Sequence, residues 1–214
     1  KIPTFTVYFL AKTNMAEKIL ILDFGSQVTQ LIARRIREAQ VYCEIHPFNH
    51  IPEIDESVKG IILSGSPCSV RDEDSPRVDL SLFGSLPILG ICYGAQLLAH
   101  QGGGSVQNSG HREYGRAHMT SVKESPLLKG LSATGQVWMS HGDAVTQAPE
   151  GFSICAVTTD TPIAAFEDVT GKIAGVQFHP EVLHSEHGQA IFKNWLINIA
   201  GCQPDWTTGN IAEN

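Results

Sequence analysis

Cys92 and His179 stand in the two contexts of this chain that suit covalent catalysis. Cys92 lies in Gly90-Ile91-Cys92-Tyr93-Gly94, directly after an aliphatic run and directly before a helical pattern. This is a Gly-x-nucleophile-x-Gly turn with Cys where many hydrolases carry Ser. A strand that turns at once into a helix leaves no room for Cβ atoms beside the nucleophile, which is the task of the two glycines. The helix N-terminus supplies partial positive charge and favours a thiolate. The N–H of Tyr93 points into the same space and can stabilise an oxyanion. His179 lies in Gly175-Val176-Gln177-Phe178-His179-Pro180-Glu181, just past another apolar run. A His at a strand end with a carboxylate two residues on gives a base and the group that orients it. A solitary His-x-Glu is ordinarily a surface pair. The cysteine turn and the strand-end position together reverse that preference and predict the triad Cys92, His179, Glu181.

Two polar stretches lie at similar positions. Ser64-Gly65-Ser66-Pro67 closes an aliphatic run, where the loops of open α/β folds bind ligands, and its N–H groups could complete an oxyanion hole. It is not a Walker loop, because no Gly-Lys-Ser/Thr follows. Trp138-Met139-Ser140-His141-Gly142-Asp143 reads as a polar cluster at a strand end, or as a turn with a capping Asp. A metal reading of His179, Glu181, His184 and His187 fails on spacing. They do not make His-Glu-x-x-His, and Pro180 disrupts helical presentation of the first pair. No metal site is expected, and His184 and His187 read as ordinary loop or helix-start residues.

The elements that must position these groups alternate. Aliphatic runs at 18–22, 60–63 and 87–91 read as strands buried on both faces, and 42–45 as a short further strand. Helical spacing follows over 28–39 and 95–100. Strands with helical crossovers predict an open, mostly parallel sheet with helices on both faces. The second half changes character, with short β-like runs at 117–122, 136–139, 153–158, 163–167 and 173–178 separated by polar turns. These predict an additional antiparallel β layer or extension of the sheet. A closing helix is expected over 188–199.

With these motifs in place, the chain resembles the class I (triad) glutamine amidotransferases. The matching stretches are 19–27 (ILILDFGSQ), 60–65 (GIILSG), 90–96 (GICYGAQ), 137–143 (VWMSHGD) and 175–182 (GVQFHPEV), in that order over residues 16–206. Asp-Phe-Gly-Ser-Gln and Trp-Met-Ser-His-Gly-Asp are similar to the GMP synthetase branch of the family. The resemblance implies hydrolysis of glutamine to glutamate and ammonia through a thioester on Cys92. It implies an oxyanion hole from Tyr93, Gly65 and Ser66, and glutamine held by Gln96, Ser140, His141 and Gly142, partly through main-chain groups. It also implies an ATP-pyrophosphatase (synthetase) domain as partner, in cis or trans, that uses the ammonia to aminate XMP to GMP. That domain would need ATP and Mg; this one needs no cofactor. The family usually has a second Gly where this chain has Ser66. If that position required φ > 0, Ser66 would be strained. Competing readings are the glutaminase of another biosynthetic pathway, a cysteine hydrolase acting on other substrates, and a non-catalytic module on the same fold.

Composition narrows the classes. The chain has 214 residues, 42% of them hydrophobic and 17% charged, which suits a globular fold with a sizeable core. A formal charge of −7 without a Lys/Arg cluster argues against a nucleic-acid partner. Five cysteines, an odd number without Cys-x-x-Cys spacing, argue against a disulfide framework and predict a cytoplasmic protein. No apolar run approaches the length of a membrane span, so no membrane partner is expected. Residues 1–14 read as an N-terminal extension, 15–201 as the amidotransferase domain, and 202–214 as a tail or the start of a linker. ATP-binding loops are not found in the chain, so its ammonia would be used elsewhere.

Overall fold

The computed structural model describes residues 16–207, with 109–112 described by their backbone alone; the expected extension over 1–14 lies outside it. The aliphatic runs form a parallel core of β1 (Lys18–Asp23), β2 (Tyr42–Pro47), β3 (Val58–Leu63) and β4 (Ile88–Ile91). To these are added β5 (Ser105–Ser121), β6 (Thr134–Gln147), β7 (Phe152–Val157), β8 (Ala165–Asp168) and β9 (Ile173–Val176). All nine join one sheet in the order β2-β1-β3-β4-β9-β8-β7-β5-β6. The pairs from β2 to β9 are parallel and those from β9 to β6 antiparallel. The antiparallel part thus continues the sheet.

Side-chain alternation along the strands builds two cores. Ile19, Ile21 and Ile62 face α1 (Thr29–Glu38), α3 (Gly188–Lys193) and the turns that follow α3, against Ile32, Ile36, Ile191 and Trp195. Leu20, Leu22 and Leu63 face the other way, against Tyr93, Leu97 and Leu98 of α2 (Tyr93–Gln101). Both faces of the parallel core are therefore covered. A buried aliphatic side chain is worth roughly 1.5–3 kcal/mol, and these strands place one at nearly every position.

Three expectations need correction in detail. The runs at 117–122 and 136–139 are parts of two long strands, β5 of 17 residues and β6 of 14. Their polar residues hide the alternation, because several inward positions line a cleft instead of an apolar core. Consequently residues 138–143 lie within β6 and form neither a strand end nor a turn. The closing helix is α-helical only to Lys193; Asn194–Ile199 runs on as a π-helix. Residues 202–206 pack back on the domain: Cys202 is buried, and Trp206 N–H donates to Gln40 O at 2.9 Å.

Candidate active site

The turn between β4 and α2 is as tight as its glycines suggest. A Cβ on Gly90 would lie 2.6 Å from the Gly94 backbone, and one on Gly94 would lie 2.3 Å from Leu63 O. Between them Cys92 has φ 52° and ψ −104°, a conformation that costs an ordinary residue about 1–3 kcal/mol. Backbone bonds on both sides hold it: Cys92 N–H to Val176 O at 2.8 Å, and Gly94 N–H to Ser64 O at 3.1 Å. The strain lifts the thiol from the sheet edge into an open cleft of about 780 Å³. Tyr93 N–H opens α2 and has no acceptor within the helix.

His179 meets Cys92 from the segment just after β9. Its N–H donates to Trp138 O of β6 at 2.9 Å, and Ser185 Oγ donates to its carbonyl at 2.6 Å. On the ring, Nδ1 bonds Glu181 Oε1 at 2.7 Å, which leaves Nε2 without a hydrogen-bond partner. That arrangement puts the proton on Nδ1 and leaves Nε2 as the base. Burial opposes charge on His179, but the charges of Cys92 and Glu181 outweigh it and raise the pKa well above the usual imidazole value. Glu181 is buried, and Arg35 Nε of α1 fixes its carbonyl at 2.9 Å. Among the described residues no group of His, Cys, Asp and Glu could hold a metal ion. His184 lies against the Trp138 ring and His187 bonds Ser132 Oγ at 2.8 Å.

The cleft is lined by Gly65, Ser66, Gln96, Ser140, His141 and Gly142 together with Cys92 and His179. Ser66 does not have positive φ; among described non-glycine residues Gln40 and Cys92 do. Serine therefore occupies that position without backbone strain. Ser140 O lies 3.7 Å from Cys92 Sγ, and Gln96 Nε2 donates to Asp143 O at 2.6 Å. Gln96 is thus braced against β6 from α2, and its side chain is already partly committed. His141 is buried, and burial first, then the nearby His179 charge, pushes its pKa down to about 4.

Three site residues escaped the sequence reading. Gln177 is buried and donates to Cys92 Sγ at 3.9 Å; a Gln among the apolar residues of 173–178 was the available signal. Asp143 does not cap a turn. Its carboxylate accepts from Ser69 Oγ and, at 3.3 Å, from Arg71 Nε, which ties the loop after β3 to β6. Trp138 contributes its carbonyl to His179, a role without a side-chain signature.

A cysteine turn facing a His–Glu pair across the edge of this sheet is the arrangement that a triad amidotransferase would require. The family model for class I glutamine amidotransferases matches residues 20–199, and the chain belongs to that family. Among relatives, it is 55% identical over 201 residues to the glutamine-hydrolysing GMP synthase of Cytophaga hutchinsonii, covering 93% of this chain. It is 54% identical over 202 residues to that of Bacteroides fragilis. The chain spans 40% of the length of these relatives. Among solved structures, a Thermoplasma acidophilum protein described as one subunit of a GMP synthase is 32% identical, with a TM-score of 0.72 over 87% of this chain and 94% of that one. A glutamine amidotransferase of Thermotoga maritima, 17% identical with a TM-score of 0.71 over 87% of this chain and 99% of that one, shares the fold.

Proposed function

We propose that this chain hydrolyses glutamine to glutamate and ammonia and is the glutaminase part of a GMP synthase. The observation that carries the reading is the strained Cys92 turn beside a His179 whose Nδ1 is bound to buried Glu181. The thiol proton passes to His179 Nε2, and the thiolate attacks the amide carbon of the glutamine side chain. Tyr93 N–H and the N–H groups of Gly65 and Ser66 take the developing oxyanion. As the C–N bond breaks, His179 returns the proton to nitrogen, and ammonia leaves a γ-glutamyl thioester on Cys92. His179 then takes a proton from water, the hydroxide attacks the thioester, and glutamate departs as the thiol is restored. Gln96 and the 140–142 stretch of β6 hold the substrate.

In this reading, residues 15–201 are the amidotransferase domain, with 202–206 packed against it. Its partner is an ATP-pyrophosphatase domain, in cis or trans, that spends ATP with Mg to aminate XMP. The reaction runs in the cytoplasm, in keeping with five free cysteines; no helix among the described residues is long and apolar enough to cross a membrane. The support for the GMP branch is similarity to GMP synthases along 93% of the chain. The test is direct. Wild-type chain should release glutamate from free glutamine, and Cys92→Ala should release none. Adding a GMP synthase synthetase part with XMP and ATP should yield GMP from glutamine. Release of glutamate by Cys92→Ala at the wild-type rate would refute the triad.

A further inference from the structure

The β5–β6 ladder breaks beside the cleft. Asn108 pairs with Asp143 and Glu113 pairs with His141, so four residues of β5 stand opposite Gly142 alone. Such a bulge removes ladder bonds and lets a strand bend. Yet β6 is the strand on which the site is aligned. Its carbonyls at Trp138, Ser140 and Asp143 meet the His179 backbone, the Cys92 thiol and the Gln96 amide. Ladder pairs flank the bulge on both sides, Ser140 with Tyr114 and His141 with Glu113 before it and Asp143 with Asn108 after it, and side chains there can add to them.

The candidates are side chains at the edge of the bulge. His141 Nε2 lies 3.4 Å from Glu113 Oε2, with side-chain exposures of 2% and 16%. Neither ring nitrogen of His141 makes a well-aligned hydrogen bond, although the Asp143 backbone lies close to the ring, and a small closure onto Glu113 would supply one. Glu113 is itself anchored, since Thr161 Oγ1 donates to Oε2 at 2.5 Å. Thr161 is buried in the turn after β7, where its N–H bonds Thr158 Oγ1 and its carbonyl accepts from Thr158 N–H, both at 2.9 Å. A chain Thr161–Glu113–His141 therefore runs from a rigid turn to the cleft wall.

We propose that Glu113, held by Thr161, is a positioning residue that acts through His141 to fix residues 140–142 of β6 for the hydrolysis of glutamine. The proposal rests on the glutaminase reading. As glutamine seats, His141 Nε2–H closes on the Glu113 carboxylate. His141 stays neutral in doing so, in keeping with its depressed pKa.

The test compares wild type with Glu113→Ala, Glu113→Gln and Thr161→Val, by glutaminase kcat and KM and by alkylation of Cys92 with iodoacetamide. Iodoacetamide needs the thiol but no aligned amide. Glu113→Ala should lower kcat by roughly 10-fold or more, as expected for a misplacement well under an ångström to one ångström. KM should rise as well, because residues 140–142 hold the substrate, but kcat should fall by the larger factor, and Cys92 alkylation should keep its wild-type rate. Glu113→Gln, which retains an acceptor, should recover most of the loss, and Thr161→Val should fall between. Wild-type kcat in Glu113→Ala would overturn the proposal. So would a rise in KM alone, or a fall in alkylation and Tm in step with kcat. If the wild-type chain hydrolyses no glutamine, the glutaminase reading fails first. The coupling is then judged by the His141 ring resonance, which Glu113→Ala must shift; an unmoved resonance would overturn it too.

Discussion

At the residue scale, two imidazoles share one buried site and are pushed in opposite directions. His179 is raised by the Cys92 and Glu181 charges against the cost of burial, whereas His141 is lowered by burial and by His179 itself. The opposite shifts make His179, and not His141, the imidazole that readily takes up a proton. Glu181 holds this arrangement, so Glu181→Gln should leave the fold intact and lower glutaminase kcat by roughly 10²-fold or more, read by steady-state kinetics. His141 has a consequence for stability. Its folded pKa of about 4 lies below the ordinary 6.5, so the unfolded chain binds its proton first as pH falls. The stabilisation is complete above about pH 6.5 and is lost as pH drops towards 4. Between pH 7 and pH 5 the loss due to His141 should be about 2 kcal/mol. Denaturant midpoints of wild type and His141→Gln at the two pH values check this: the variant should lose less stability on acidification.

At the element scale, the β4–α2 turn is the part most fully written in local sequence. Aliphatic residues up to Ile91, two glycines and a helical pattern leave little else for the chain to do. Gly94→Ala would drive a Cβ to 2.3 Å from a backbone carbonyl. We expect it to destabilise the protein by about 3 kcal/mol or more, seen as a large fall in Tm, and to distort the nucleophile. The parallel strands were legible for the same reason, because burial on both faces leaves uninterrupted aliphatic runs. The β5–β6 hairpin was not. Its residues Asn108, Ser140, His141 and Asp143 interrupt the apolar alternation to line the cleft, so the local signal broke there. His179 and Glu181 were readable as a pair, but the carbonyls of Trp138, Ser140 and Asp143 carry no side-chain cue. Their part emerges only when β6 crosses the ends of β4 and β9.

At the scale of the whole molecule, the five cysteines separate into two groups. Burial first pushes Cys43 up to about 11, Cys155 to about 12 and Cys202 to about 12, and each is buried. Cys68 is exposed, and Cys92, though buried, lines the cleft. A thiol reagent at pH 8 should therefore modify Cys68 and Cys92 in the folded chain and all five after denaturation, as counted by mass spectrometry. Relatives that this chain matches are longer, and it spans 40% of them. If the remainder supplies the acceptor reaction, glutamine turnover by this chain alone should be slow. It should rise when the synthetase part and XMP are added, which a glutamate-release assay would detect.

The backbone at Cys92 has a bearing on descent. Its φ of 52° is one that glycine adopts readily, and the proposed nucleophilic role accounts for a cysteine there. If Cys92 is the nucleophile, selection for ammonia release holds the cysteine against a standing pull towards relief of the turn. In a gene copy freed of that demand, position 92 is expected to drift to glycine while Gly90 and Gly94 stay, because their constraint comes from packing and outlasts the chemistry. A survey of decayed copies would read that history directly: glycine at 92 between two retained glycines would mark a protein that kept the fold and gave up the reaction.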